Sequence, residues 1–141
     1  MNRRALLRGL AAWAVVCAGG CAKDDGPREP VWGKQTCAHC AMILGDRRFG
    51  AQLLTKDGER LFFDDVGCLV LALNERSAAV DRAWVHEGAS GRWLDVHAAR
   101  YGGGVSSPMD FGFEARAGGE EGWDGLVAKV TAKAANARSA P

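Results

Sequence analysis

Apolar residues in this chain gather into short runs, and the spacing within each run predicts its form. Phe49–Thr55 and Arg60–Phe63 have strand length. Between them lies Lys56-Asp57-Gly58-Glu59, a hairpin turn, because Asp-Gly supplies the positive φ that a tight turn needs. Asp64 or Asp65 can cap the helix that follows, Val66–Glu75, which is apolar on nearly every side and therefore expected to be buried. Arg82–Glu87 reads as a third strand, giving ββαβ. The second half opens with the strand-like Arg92–Val96 and a short helical candidate, His97–Tyr101. Gly102 to Gly104 with Ser106 and Ser107 then read as a mobile loop leading into Pro108-Met109. Phe111–Arg116 reads as a strand, Gly118-Gly119 as a turn, and Gly122–Asn136 as a helix with Trp123, Leu126, Val127 and Val130 at helical spacing. From Ala137 to Pro141 the end is expected to fray.

The predicted class is α+β, built as two small ββαβ-like units with antiparallel strands and short helices, over residues 31–90 and 91–135. The halves share a plan: a methionine (Met42, Met109), then a strand, a glycine turn and a helix. An internal duplication and chance recurrence of a short pattern both account for it.

The first residues carry a different signal. Arg3, Arg4 and Arg8 precede the apolar run Gly9–Gly20, which is too short to span a bilayer as a stable helix and ends in small residues. Residues 1–20 thus read as an export signal, and Arg3-Arg4 is similar to a twin-arginine signal. Ala18-Gly19-Gly20-Cys21 resembles a lipobox, with Ala18 where leucine is more usual. Cys21 would then be acylated and become the mature N-terminus. Residues 21–30 are polar and proline-bearing and read as a flexible tether. The expected location is the periplasm, with a lipid anchor and the membrane as a partner. Ala22 after the cysteine is compatible with the outer membrane.

A net charge of +1 implies no general attraction to nucleic acid, and nothing in the pattern calls for a small-molecule substrate. The five cysteines are more informative. Cys17 leaves with the signal and Cys21 takes the lipid, so Cys37, Cys40 and Cys68 remain. An odd count in an oxidising compartment argues for thiols kept for chemistry.

Cys37-Ala38-His39-Cys40-Ala41-Met42 is the densest chemistry in the chain. Two thiolates spaced by two residues, with a thioether two further on, form a soft ligand set that favours Cu(I) over harder ions. His39 is a possible fourth donor. Three other readings stand beside it: half of a structural zinc site, which lacks its second ligand pair; a thiol–disulfide redox pair, which lacks the usual strand before and helix after; and a plain structural disulfide. Cys68 reads as a buried thiol, with a smaller chance of facing the site. His86 and His97 read as exposed or satisfied by neighbours. Met109 alone reads as packing.

Taken in order, the lipobox, Cys-x-x-Cys-x-Met, Phe63-Asp64-Asp65-Val66-Gly67-Cys68, Trp93-Leu94-Asp95-Val96 and Ser107-Pro108-Met109 resemble NosL, the lipoprotein accessory factor of nitrous oxide reductase. The resemblance covers residues 30 to 116. It implies a periplasmic Cu(I)-binding protein, not an enzyme. Such a protein supplies copper for the reductase's copper–sulfide centre, with a membrane transporter and its periplasmic partner. It also implies two similar ββαβ units, and metal ligation by Cys37, Cys40, Met42 and Met109. Where the family often has Gly before the cluster's methionine, this chain has Ala41, which restricts φ and puts the loop geometry in question.

Overall fold

A computed structural model of the chain describes residues 23–140. The expected export signal and the expected acylation site, Cys21, lie outside the described residues. Six strands follow in chain order: β1 (Ala51–Thr55), β2 (Arg60–Phe63), β3 (Val80–Glu87), β4 (Arg92–Asp95), β5 (Tyr101–Gly103) and β6 (Phe113–Ala115). Helix α1 (Val66–Arg76) lies between β2 and β3, and α2 (Trp123–Ser139) ends the chain. The α+β class is as the sequence indicates, and the first half is the expected ββαβ.

All six strands belong to one sheet, in the order β2-β1-β3-β6-β5, with β4 also pairing with β3. The expectation of antiparallel strands holds for every pair but one. β6 lies parallel to β3 through Glu87 and Ala115, so the second half extends the sheet begun by the first.

Helices α1 and α2 pack on each other, and α1 also packs on β1, β2, β3 and β6. The core between them holds Leu53, Phe63, Leu69, Val70, Val85, Tyr101, Leu126 and Val130, each essentially inaccessible. Each large side chain so buried contributes roughly 1.5–3 kcal/mol. On α2, Leu126 and Val130 stand four residues apart and form one buried stripe.

Several expected boundaries move, each for a local reason. Phe49 is not in the first strand. Arg47–Phe49 make one 3₁₀ turn, capped by the Asp46 side chain, which accepts from the Arg48 N–H. Nor is His97–Tyr101 a helix. Asp95 caps a single turn by accepting from the His97 N–H at 2.9 Å, and Tyr101 then opens β5. Its ring is fully buried, and its hydroxyl donates to the Val96 carbonyl at 2.7 Å. Gly102 and Gly103 belong to β5, not to a mobile loop. Both pair with β6, Gly102 opposite Glu114 and Gly103 opposite Phe113. Helix α2 runs on to Ser139, past the point where fraying is expected.

The tether also differs. From Gly26 onward it is fastened across the face of the sheet opposite the helices. Gln52 on β1 is completely buried. Its side-chain oxygen accepts from the Arg28 N–H at 2.9 Å, and its amide donates to the Arg28 carbonyl at 2.8 Å. Arg60 on β2 donates to Gln52 and to the Gly26 carbonyl, both at 2.7 Å, with its guanidinium over the Trp84 ring. Glu29 accepts from the indole N–H groups of both Trp32 and Trp93. A buried amide thus stands in for a strand partner, which composition alone does not announce.

Replacing Gln52 by Ala removes both bonds to Arg28 and one partner of Arg60. The expected cost is about 1–3 kcal/mol of unfolding free energy, with faster proteolysis between Gly26 and Trp32. Urea denaturation and timed limited proteolysis measure both effects.

Candidate metal centre

The cysteine-bearing segment is a compact knuckle. Thr36 bridges Ile43 in antiparallel fashion, and the Leu44 N–H donates to the Gln35 carbonyl at 2.9 Å. Inside this frame the Cys37 N–H donates to the Met42 carbonyl at 2.7 Å, and the Ala41 N–H to the Cys37 carbonyl at 3.0 Å. The chain closes this turn by placing Ala41 in the left-handed region, with φ of 62°. The doubt raised by alanine is therefore resolved: the knuckle adopts a conformation suited to glycine, and Ala41 bears the steric cost.

The knuckle is docked on the β2–α1 junction. The Ala38 N–H donates to the Phe62 carbonyl at 2.8 Å, and the Gly45 N–H to the Asp64 carboxylate at 3.0 Å. Asp65, not Asp64, caps α1, accepting from the Gly67 N–H at 2.8 Å. That cap fixes where the helix begins and so puts Cys68 in its first turn, facing the knuckle.

The result is a sulfur triad. The Sγ atoms of Cys37, Cys40 and Cys68 all lie within 4.8 Å of one another. Three thiolates on one ion with metal–sulfur bonds near 2.3 Å stand roughly 4 Å apart, so a small contraction suffices to close on a metal. All three are free thiols. Cys37 is 3% exposed and Cys68 not at all, while Cys40 is half-buried and gives the triad its open side.

The triad has an asymmetric charge. The Cys37 thiol is held well below the ordinary thiol range by the hydrogen bond from Cys68, with further help from backbone N–H groups including that of Cys40, and these outweigh its burial. The same bond, with burial, pushes Cys68 far up. Burial pushes Cys40 up. Negative charge in the cluster is therefore favoured on Cys37, at the N-terminal end of α1, where the helix dipole also favours it. A metal ion that takes all three sulfurs displaces the protons they carry, so affinity rises with pH.

Of the residues expected from the sequence, the structure brings Cys37 and Cys40 together and adds Cys68, which the sequence reading placed second. The odd cysteine count and the Asp65 cap were the signals that could have promoted it. Met42 and Met109 are surface side chains, 44% and 38% exposed. Met42 follows the triad in the knuckle. Met109 comes from the second half of the chain, its backbone N–H donating to Asp65 Oδ2 at 3.0 Å. His39 and Met109 line one groove of about 580 Å³ with residues of α1 and α2. His86 is not exposed. It is 3% accessible and edge-on to Trp32 and Trp93, its Nδ1 has no partner among the described residues, and burial pushes its pKa down. His97 is exposed beside Trp123.

Compared with protein-family models, curated proteins and solved structures, the chain has no significant match. What the site can do therefore follows from its geometry: three converging sulfurs, two inside and one at the surface, can hold a metal ion.

Two variants test this arrangement. Ala41→Gly relieves the left-handed alanine and should raise stability by about 0.5–1 kcal/mol, the strain relieved less the added freedom of the unfolded chain, as read by urea denaturation. Asp64 is buried, and that burial raises its carboxyl above the ordinary value. The native state therefore keeps this proton to higher pH than the unfolded chain does, and the associated stability is lost as pH rises through the folded value. Asp64→Asn, which can still accept from Gly45, should gain stability relative to the parent at pH 7 and show no such gain at pH 3.

Proposed function

We propose that this chain is a periplasmic Cu(I)-binding lipoprotein that delivers copper for assembly of the copper–sulfide centre of nitrous oxide reductase. The observation that carries the copper reading is the sulfur triad. Three thiolates suit a low-coordinate soft ion, whereas a structural zinc site wants a fourth protein ligand. The two non-glycine residues with positive φ among those described, Ala41 (62°) and Asp110 (57°), each adjoin one of the methionines, Met42 and Met109. Backbone strain of this kind persists where a loop is held for a purpose, which favours the thioethers as additional soft donors.

The delivery step rests on the ordered resemblance to NosL. The acceptor in this reading is nitrous oxide reductase, or its maturation transporter with the periplasmic partner. Lipid on Cys21 would hold the protein at the membrane and raise its effective concentration near them. Transfer is ligand exchange: a partner approaches the open side at Cys40, offers its own donors, and the ion passes through a shared intermediate.

The rival reading, a thiol–disulfide oxidoreductase on Cys37 and Cys40, needs an exposed thiol of low pKa as nucleophile. Here exposure and acidity are on different residues. The acidic thiol, Cys37, is buried, and the accessible one, Cys40, has its pKa raised.

Anaerobic Cu(I) titration against a competing chelator tests the proposal. The parent should bind one Cu(I) per chain. Cys37→Ser, Cys40→Ser and Cys68→Ser should each weaken binding by more than the roughly 10–100-fold typical of losing an outer-shell partner. Parent affinity in all three variants would refute the reading.

A further inference from the structure

The buried carboxylate of Asp65 touches two parts of the molecule that are far apart in sequence. Oδ1 accepts from the Gly67 N–H at 2.8 Å and fixes the first turn of α1, which carries Cys68. Oδ2 accepts from the Ser107 hydroxyl at 2.6 Å and from the Met109 N–H at 3.0 Å. Ser107 is itself buried, and its oxygen accepts in turn from the Gly112 N–H at 2.9 Å, which closes the 107–112 loop on itself. The loop is also seated sterically: Phe111 packs directly on Gly67, where any Cβ would run into its ring. On the other side, Met109 and His39, the residue before Cys40, border the same groove. The loop tip turns through Asp110 with φ of 57°, a conformation the chain adopts unaided by glycine. A fully buried carboxylate with no salt-bridge partner among the described residues is costly unless its oxygens are filled. Here three donors fill them, and two come from the Met109 loop.

We propose that Asp65 is the positioning residue that indexes the Met109 loop to the helix end bearing Cys68, so that the Met109 thioether stands as an outer, exchangeable ligand for copper held by the triad. This rests on the copper reading above and adds a division of labour to it. The cysteines hold the ion, and Met109, which is 38% exposed, is the donor a partner's ligand displaces first. Thioether is a weaker donor than thiolate and carries no charge, so its loss leaves the ion bound yet opens a coordination position.

The test uses the protein labelled with ¹³C at its methionine methyl groups, with Met42 and Met109 assigned through Met42→Leu and Met109→Leu. Anaerobic Cu(I) is added, and the competing chelator reports whether the triad is loaded before the methyl spectrum is read. Expected is a copper-induced shift of the Met109 methyl in the parent that falls to less than half in Asp65→Asn and Ser107→Ala, returns in Ser107→Thr, and is matched by several-fold faster loss of copper to the chelator in the two impaired variants. The Met42 shift should stay as in the parent, which a general loosening of the fold would not allow. If Asp65→Asn loses its helix cap and unfolds, Ser107→Ala carries the test alone, since it leaves the cap in place. A loaded triad with an unmoved Met109 methyl in the parent, or an equal Met109 shift in Ser107→Ala, overturns the role of Asp65 and leaves the copper reading standing. No copper uptake by the parent overturns both.

Discussion

Two buried carboxylates side by side hold the chemical end of this protein together. Asp64 and Asp65 are 3% and 0% exposed, and each accepts at least one hydrogen bond from a backbone N–H far away in the chain. Asp64 takes Gly45, at the exit of the knuckle, while Asp65 takes Gly67 on α1 and Met109 on the second-half loop. With the Phe62 carbonyl receiving Ala38, the stretch from Phe62 to Cys68 fastens the knuckle, the start of α1 and the Met109 loop to one another. Buried charge is expensive unless hydrogen-bonded, so these loops cannot drift without leaving a carboxylate unsatisfied. That penalty turns three flexible pieces of chain into one geometry.

The same economy of charge appears among the sulfurs. Three thiolates within 4.8 Å would repel strongly in a site this dry. Shared protons relieve this, with the negative charge favoured on Cys37 and the proton on Cys68. Proton release is therefore part of metal binding.

How far the site was legible follows from what each residue has to do. Cys37 and Cys40 stand in a short motif whose spacing is itself chemistry. The hairpin at Asp57-Gly58, the buried helix read at 66–75 and the α+β class come from periodicity and turn residues, which are local. What failed to show was non-local. Tyr101 and Gly102 form a strand because they pair with Ala115 and Glu114 of β6. The tether is fastened because a buried glutamine meets it. Cys68 joins the triad because a cap sets the helix register and the knuckle docks above it. In each case the deciding partner lies many residues away, out of reach of any window along the chain. Asp65 shows the limit most plainly: the sequence presents a helix cap, and only the fold reveals that its second oxygen clasps Ser107 and Met109.

The five sulfurs at this end of the molecule form a graded series. Cys68 is sealed, Cys37 nearly so and Cys40 half-buried, while Met109 and Met42 are 38% and 44% exposed. The order of exposure is also an order of donor character, from potential thiolates inside to neutral thioethers outside. In the copper reading proposed above, an ion arriving from solvent would meet neutral sulfur first, where no proton need leave, and would gain thiolate bonds only as it moved inward and displaced protons. Departure would reverse the sequence. A sealed cage of the same three cysteines would bind as tightly and release far more slowly, because no weak ligand would be available to give way. A partly open triad suits the carrier role proposed above, and the buried carboxylates hold the knuckle and the Met109 loop on the start of the helix that bears Cys68.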